Sequence, residues 1–103
     1  MPTFGELVAR RRKELGKSQK ELASLIHKEE GDPISPQYLN DLERDRRGAP
    51  GDHLMNEFAR ELDLSLDLLF NAAGELPPDL RGLDERTVEK AYAAFRRTLP
   101  KEG

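Results

Sequence analysis

Helix punctuation constrains this chain more than any other feature. Three side chains suited to accept from free backbone N–H groups each stand just before an amphipathic run, in Thr3-Phe-Gly-Glu6, Ser18-Gln-Lys-Glu21 and Ser35-Pro36. The first two have the spacing of a capping box, and the third places proline at the first helical position, where no amide hydrogen is required. Gly16 stops the first run by tolerating a left-handed backbone, and Gly31-Asp32-Pro33 breaks the second. Helices are therefore predicted over 3–15, 18–29 and 35–45. Phe4, Leu7, Val8 and Leu15 mark the inner face of the first, and Leu22, Ala23, Leu25 and Ile26 that of the second. Ile34 sits where it can staple onto Leu39 in the third.

The same signals continue downstream. RRGAPGD (46–52) reads as a turn, and Asp52 as the cap of a helix carrying Leu54, Met55, Phe58, Ala59 and Leu62. Ser65 or Asp63 opens a short fifth helix that Gly74 ends, and the paired prolines of ELPPDL forbid helix beyond it. From Asp84 to Thr98 a further stripe of Val88, Ala91, Tyr92, Phe95 and Leu99 recurs at helical spacing until Pro100. No strand-like alternation appears. The expected fold is all-α, a compact unit of five helices over 1–75 followed by a proline-containing linker and an amphipathic helix over 76–103.

Composition narrows the function. At 103 residues there is room for one domain with a short appendage, and no apolar run approaches the ~18–20 residues a membrane span needs. Cysteine is absent, which removes disulfides, thiolate nucleophiles and cysteine-ligated zinc. The two histidines, His27 and His53, belong to no HExxH motif, no nucleophile elbow is visible, and the eight glycines read as helix stops and turns instead of a phosphate loop. Nothing in the pattern is enzymatic, and no metal or cofactor site is expected. The start MPTFGELVARRRKELG is charged and amphipathic, not an apolar export signal, so the expected location is cytoplasmic, on the nucleoid.

Net charge is −3, against the basic balance usual in a nucleic-acid binder. Its distribution is uneven, +1 over residues 1–47 and −4 over the rest. Arg10, Arg11, Arg12, Lys13, Lys17 and Lys20 have only Glu14 among them, and Arg44, Arg46 and Arg47 form a second knot. In the third helix Leu39 and Leu42 face inward, while Gln37, Asn40, Asp41 and Arg44 stand at i, i+3, i+4 and i+7 and share a polar face. Carboxamides can pair with adenine, arginine with guanine or phosphate, and aspartate with the cytosine amino group. A plain solvent-facing stripe has the same composition, so the face alone does not separate the two readings.

SQKELASLI (18–26), ISPQYLNDLERDRR (34–47) and FARELDLSLDLLFNAAG (58–74) together closely resemble the Cro/lambda-repressor-like helix-turn-helix family of XRE-type regulators, over about residues 3–75. The resemblance rests on elements recurring in order: Arg12 and Gly16; Gln19, Leu22 and Ala23; Tyr38, Leu39, Leu42 and Glu43; then an Ala-x-x-Leu and an Asp-x-Leu-Leu helix. It implies a sequence-specific regulator of double-stranded DNA, in all expectation a repressor, that reads the major groove with helix 35–45. Gln37, Asn40, Asp41 and Arg44 would be base readers; Lys17, Gln19, Ser35, Arg46 and Arg47 would hold phosphates. Arg12 and Glu43 match a partly buried ion pair that ties the first helix to the third.

Two departures accompany the resemblance. Ser35 lies twelve residues beyond Ala23, whereas the family usually reaches its cap after six, so HKEEGDP lengthens the second helix, the turn, or both. The insertion is acidic and is expected to point away from phosphate. Asp45 stands where the family commonly has glycine, at the cost of mild strain. The stripe of Val88, Tyr92, Phe95 and Leu99 is either a homodimer seam, suited to a palindromic operator, or a face folded back over the domain. A rival reading keeps the scaffold as a protein-binding module of the antitoxin or phage-antagonist kind, with the acidic insertion or the last helix touching a protein partner.

Overall fold

The computed structural model describes residues 1–101. Among these, six α-helices form: α1 (Phe4–Glu14), α2 (Gln19–Leu25), α3 (Pro36–Glu43), α4 (Asp52–Leu62), α5 (Leu66–Ala72) and α6 (Glu85–Thr98). The fold is all-α, as expected, and the start signals act as the sequence implies. Thr3 Oγ1 accepts from the Glu6 amide, Ser18 and Glu21 close a complete capping box, and Ser35 caps α3 ahead of Pro36. Gly16 and Gly74 end their helices at φ +70° and +74°. No described helix is long and apolar enough to cross a membrane.

α1 crosses α3, α4 and α5, while α2 packs on α3 and α4 on α5. The core they enclose is built from Phe4, Leu7, Val8, Leu22, Ile26, Leu39, Leu42, Met55, Phe58, Leu62, Leu69 and Phe70, all nearly or fully buried. Phe4 meets Phe58 edge-on, with ring centroids 5.8 Å apart. Leu15 and Leu25, expected on inner faces, lie at the rim, 39% and 36% exposed. Both come at or beyond the last turn of a short helix, where the apolar stripe has already left the core.

Gly5 is the one glycine whose role composition hides. It is buried within α1, and a Cβ there would collide with the Leu42 carbonyl, with the Glu43 carbonyl at 2.9 Å and with Asp45 Oδ1 at 2.6 Å. Its missing side chain lets α1 rest directly on the end of α3. The reading of all eight glycines as stops and turns is corrected here.

Some boundaries also differ from expectation, and the opening of α5, left between two residues, is decided. α2 ends at Leu25, not at 29, because Ile26 turns extended (φ −100°, ψ 115°) and the insertion folds back as a small hairpin. Its rungs are a His27–Pro33 bridge, Ile34 N–H donating to the Ile26 carbonyl at 2.9 Å and Lys28 N–H donating to Asp32 at 2.8 Å, with Gly31 at φ +104° in the bend. The insertion thus lengthens the turn alone. Gly51, not Asp52, is the α4 cap, leaving Asp52 as its first residue. Ser65 caps α5, while Asp63 closes α4 in the left-handed region at φ 52°. The paired prolines exclude α-helix but permit one 3-10 turn, Pro78–Leu80, whose bonding pattern spares the amides they lack.

After α5 the chain stays on the body only briefly. Pro77 is buried, and Arg81 makes a fork to Asp52 (2.9 and 3.2 Å), donates to the Leu76 carbonyl at 2.9 Å and lies over the Phe70 ring. Beyond that clasp, no residue of α6 is buried. The Cα radius of gyration of 15.7 Å exceeds the roughly 13 Å of a compact chain this long.

Candidate nucleic-acid interface

α3 is held from below. Leu39 and Leu42 enter the core, and Glu43, at the last helical position, meets Arg12 of α1 in a two-pronged ion pair of 2.7 and 2.8 Å. A further Arg12 nitrogen donates to the Lys17 carbonyl at 2.9 Å, which fixes the α1–α2 turn to the same anchor. The Glu43 carboxylate raises the Arg12 pKa above the ordinary guanidinium value, against the opposing effect of burial. The expected Arg12–Glu43 link between first and third helix is therefore present.

Gln37, Asn40, Asp41 and Arg44 do stand together on the outer face of α3. Gln37 and Arg44 are exposed, Asn40 and Asp41 half-buried. They are not independent side chains. Gln37 Nε2 donates to Asp41 Oδ1 at 3.1 Å, and Arg46 approaches the same oxygen at 3.9 Å. Arg44 Nε donates to Asn40 Oδ1 at 3.2 Å. Gln19 reaches across from α2, its Nε2 donating to Asn40 Oδ1 at 3.1 Å and to Glu43 Oε1 at 3.0 Å. The outer face is continuous through Gln19 with the buried ion pair.

The residues expected on phosphates divide. Ser35 Oγ accepts from the Tyr38 amide at 3.0 Å and keeps its hydroxyl hydrogen to donate. Arg46 stays largely exposed beside Asp41. Arg47 turns instead over the Tyr38 ring, 5.3 Å from its centroid, and lines a groove with Lys28, Ser35 and Leu54. Gln19 directs both amide hydrogens inward, to Glu43 and Asn40, in this conformation. Lys17 lies in the turn above Arg12. Arg11 of the basic run is also occupied, donating to the Leu62 carbonyl at the end of α4.

Asp45 occupies the left-handed region at φ 57°, as the glycine-like position requires, and its Oδ2 accepts from Thr3 Oγ1 at 2.9 Å. That bond joins the first capping residue to the end of α3. No sequence signal announces it.

The acidic insertion sits against α4, not α3. The His27 amide donates to buried Glu57 at 3.0 Å, and His53 Nε2 lies 2.8 Å from the His27 carbonyl. Glu29 and Glu30 line a shallow cleft with Gly51, Asp52, His53 and Leu54. Glu57 also pairs with Arg60, and its pKa is held below the ordinary carboxylate range, first by the His27 amide and then by Arg60 against burial. Glu57 carries no local mark of this anchor, because the amide it accepts from lies 30 positions away. Val88 of α6 is half-buried, while Tyr92, Phe95 and Leu99 are 52%, 60% and 50% exposed.

The helix-turn-helix family model HTH_3 matches residues 8–69, a span running from α1 into α5. The chain belongs to the lambda-repressor-like helix-turn-helix family. Membership supports a DNA-binding transcriptional regulator. Among solved structures, the helix-turn-helix fold is similar to a chain of the SinR protein/SinI protein complex, at 23% identity and a TM-score of 0.55, covering 96% of this chain and 84% of that one. It is also similar to the clp gene regulator ClgR from Corynebacterium glutamicum, at 22% identity and a TM-score of 0.55, covering 93% and 85%. None of the curated proteins matches.

Proposed function

We propose that this helix-turn-helix protein is a sequence-specific repressor that lays α3 in the major groove of double-stranded DNA. One observation carries the reading: Gln37, Asn40, Asp41 and Arg44 form a contiguous polar face, cross-braced by hydrogen bonds and supported from beneath by the Arg12–Glu43 pair. Such bracing holds carboxamides at fixed angles before DNA arrives, which lowers the entropy lost on binding. Ser35 and Arg46 flank the face as phosphate contacts, with Lys17 and Arg47 as further cations near it. In this reading Gln19 is a positioning residue.

One helix this short reads few base pairs. Two copies on a palindromic operator, with half-sites about 34 Å apart, multiply those contacts. The apolar stripe of Val88, Tyr92, Phe95 and Leu99, half-buried at Val88 and exposed at the other three, supports α6 as the homodimer seam. A second reading, in which a different protein occupies that stripe or the acidic hairpin, draws on the same exposed surface and on a similar structure being a complex of two proteins.

Selection of bound duplexes from a random pool tests the proposal. The expected product is a two-fold symmetric motif. Gln37→Ala should lose preference at one position per half-site, while Arg46→Ala weakens all sequences alike and lowers the salt slope by about 0.9. Absence of any enriched motif would overturn the DNA-reading proposal in favour of the partner-binding one.

A further inference from the structure

The polarity of the hydrogen bonds behind α3 is dictated from its two ends. Arg12 only donates, so the Glu43 carboxylate accepts from it at 2.7 and 2.8 Å. Any further neighbour of that carboxylate must also donate, which assigns the amide nitrogen of Gln19 to the contact at 3.0 Å. The second hydrogen on the same nitrogen goes to Asn40 at 3.1 Å, so the atom Asn40 turns inward is its oxygen. Arg44 Nε, again only a donor, meets that oxygen at 3.2 Å. Both lone pairs of Asn40 Oδ1 are then used. Among the described residues Asn40 Nδ2 has no hydrogen-bond partner, and no buried side-chain nitrogen or oxygen lacks one, so this amino group reaches solvent.

We infer that Asn40 is a donor-only reader that selects guanine, and that Gln19 is the residue that imposes this choice. The inference rests on α3 being the base-reading helix. A free asparagine pairs with adenine by accepting from N6 and donating to N7, but here the accepting atom is already filled. Guanine offers two adjacent acceptors, O6 and N7, to an amino group carrying two hydrogens. Thymine offers O4 alone, and cytosine presents a donor that the amino group repels. Gln37 is set the other way. Its Nε2 gives one hydrogen to Asp41, leaving its second hydrogen and its oxygen, the two halves of the adenine pattern. Two carboxamides one helical turn apart thus carry different instructions.

The test is selection from random duplex DNA with the full chain and its Asn40→Ala, Asn40→Asp and Gln19→Ala variants, each first checked for native helicity by circular dichroism. Asn40→Ala should erase preference at one position of the motif, where the parent protein favours guanine about tenfold. Asn40→Asp keeps an acceptor for Gln19 and Arg44 but turns an oxygen outward, so the same position should move to cytosine, whose N4 donates. Gln19→Ala should relax guanine toward adenine there. Adenine at that position in the parent motif, or an Asn40→Asp variant that only weakens all sequences equally, would overturn the inference. So would a guanine preference that survives Gln19→Ala unchanged. A parent protein that selects a motif from which Asn40→Ala removes nothing sinks this inference alone; one that selects no motif sinks the base-reading proposal with it.

Discussion

α3 and α6 are both amphipathic helices begun by a side-chain cap, yet they meet opposite fates. α3 buries Leu39 and Leu42 in the core and has its polar side tied into a network that ends on a buried ion pair. No residue of α6 is fully buried, and its aromatic stripe faces solvent. Periodicity specifies that a helix has two faces; it does not specify that both find a use within one chain. The contrast separates what folding consumes from what is left over for another molecule, and it ranks substitutions by which side of that line they fall on.

The largest effect is expected at the foot of α3. Glu43→Ala leaves the Arg12 guanidinium buried without its counter-charge and should cost about 3–5 kcal/mol in urea unfolding. Replacing both partners by apolar residues, Arg12→Met with Glu43→Leu, should recover most of that loss, because no charge is then stranded. If the double variant is as unstable as the single one, the network matters for more than its desolvated charge. Next comes Gly5→Ala, whose new methyl group has backbone on two sides; about 1–3 kcal/mol is expected, with α3 displaced. Wild-type stability here would mean that α1 and α3 separate easily.

A pH effect of intermediate size is expected from Glu57. Its folded pKa lies below the unfolded value, so its contribution is fully present above about pH 4.3 and is lost as pH falls through the lower folded value. Thermal melts from pH 7 to pH 2 should show a steeper acid decline for the parent protein than for Glu57→Gln. Equal slopes would dissociate the hairpin anchor from acid stability. The smallest stability change belongs to α6: Phe95→Asp should shift unfolding of the dilute monomer by no more than about 0.5 kcal/mol. The same substitution should abolish self-association in sedimentation velocity. A large loss of monomer stability would show that the stripe packs in cis, and the comparison with α3 would fail.

Much of this was legible because it is local. Caps at Thr3, Ser18 and Ser35, stops at Gly16 and Gly74, and the 3.6-residue spacing of Leu39 and Leu42 depend on neighbours in sequence, and each stands as expected. The outer face of α3 followed from the same spacing. What could not be read was long-range. Gln19 looks like an N-terminal helix residue until α3 is brought beside it, and Thr3 and Asp45 are 42 positions apart. The end of α2 was misplaced because Lys28-Glu29-Glu30 are acceptable in a helix, whereas the pairing of Ile26 with Ile34 outweighs one more turn. Arg81 carries no local mark of its fork to Asp52.

The hairpin between α2 and α3 enters and leaves through neighbouring positions, with Ile34 bonded back to Ile26 at 2.9 Å and both side chains buried. Extra chain inserted above that closure cancels itself out geometrically, like a detour that rejoins the road where it left. The tip from Lys28 to Asp32 therefore adds chain above the closure without prising apart the two helices below it.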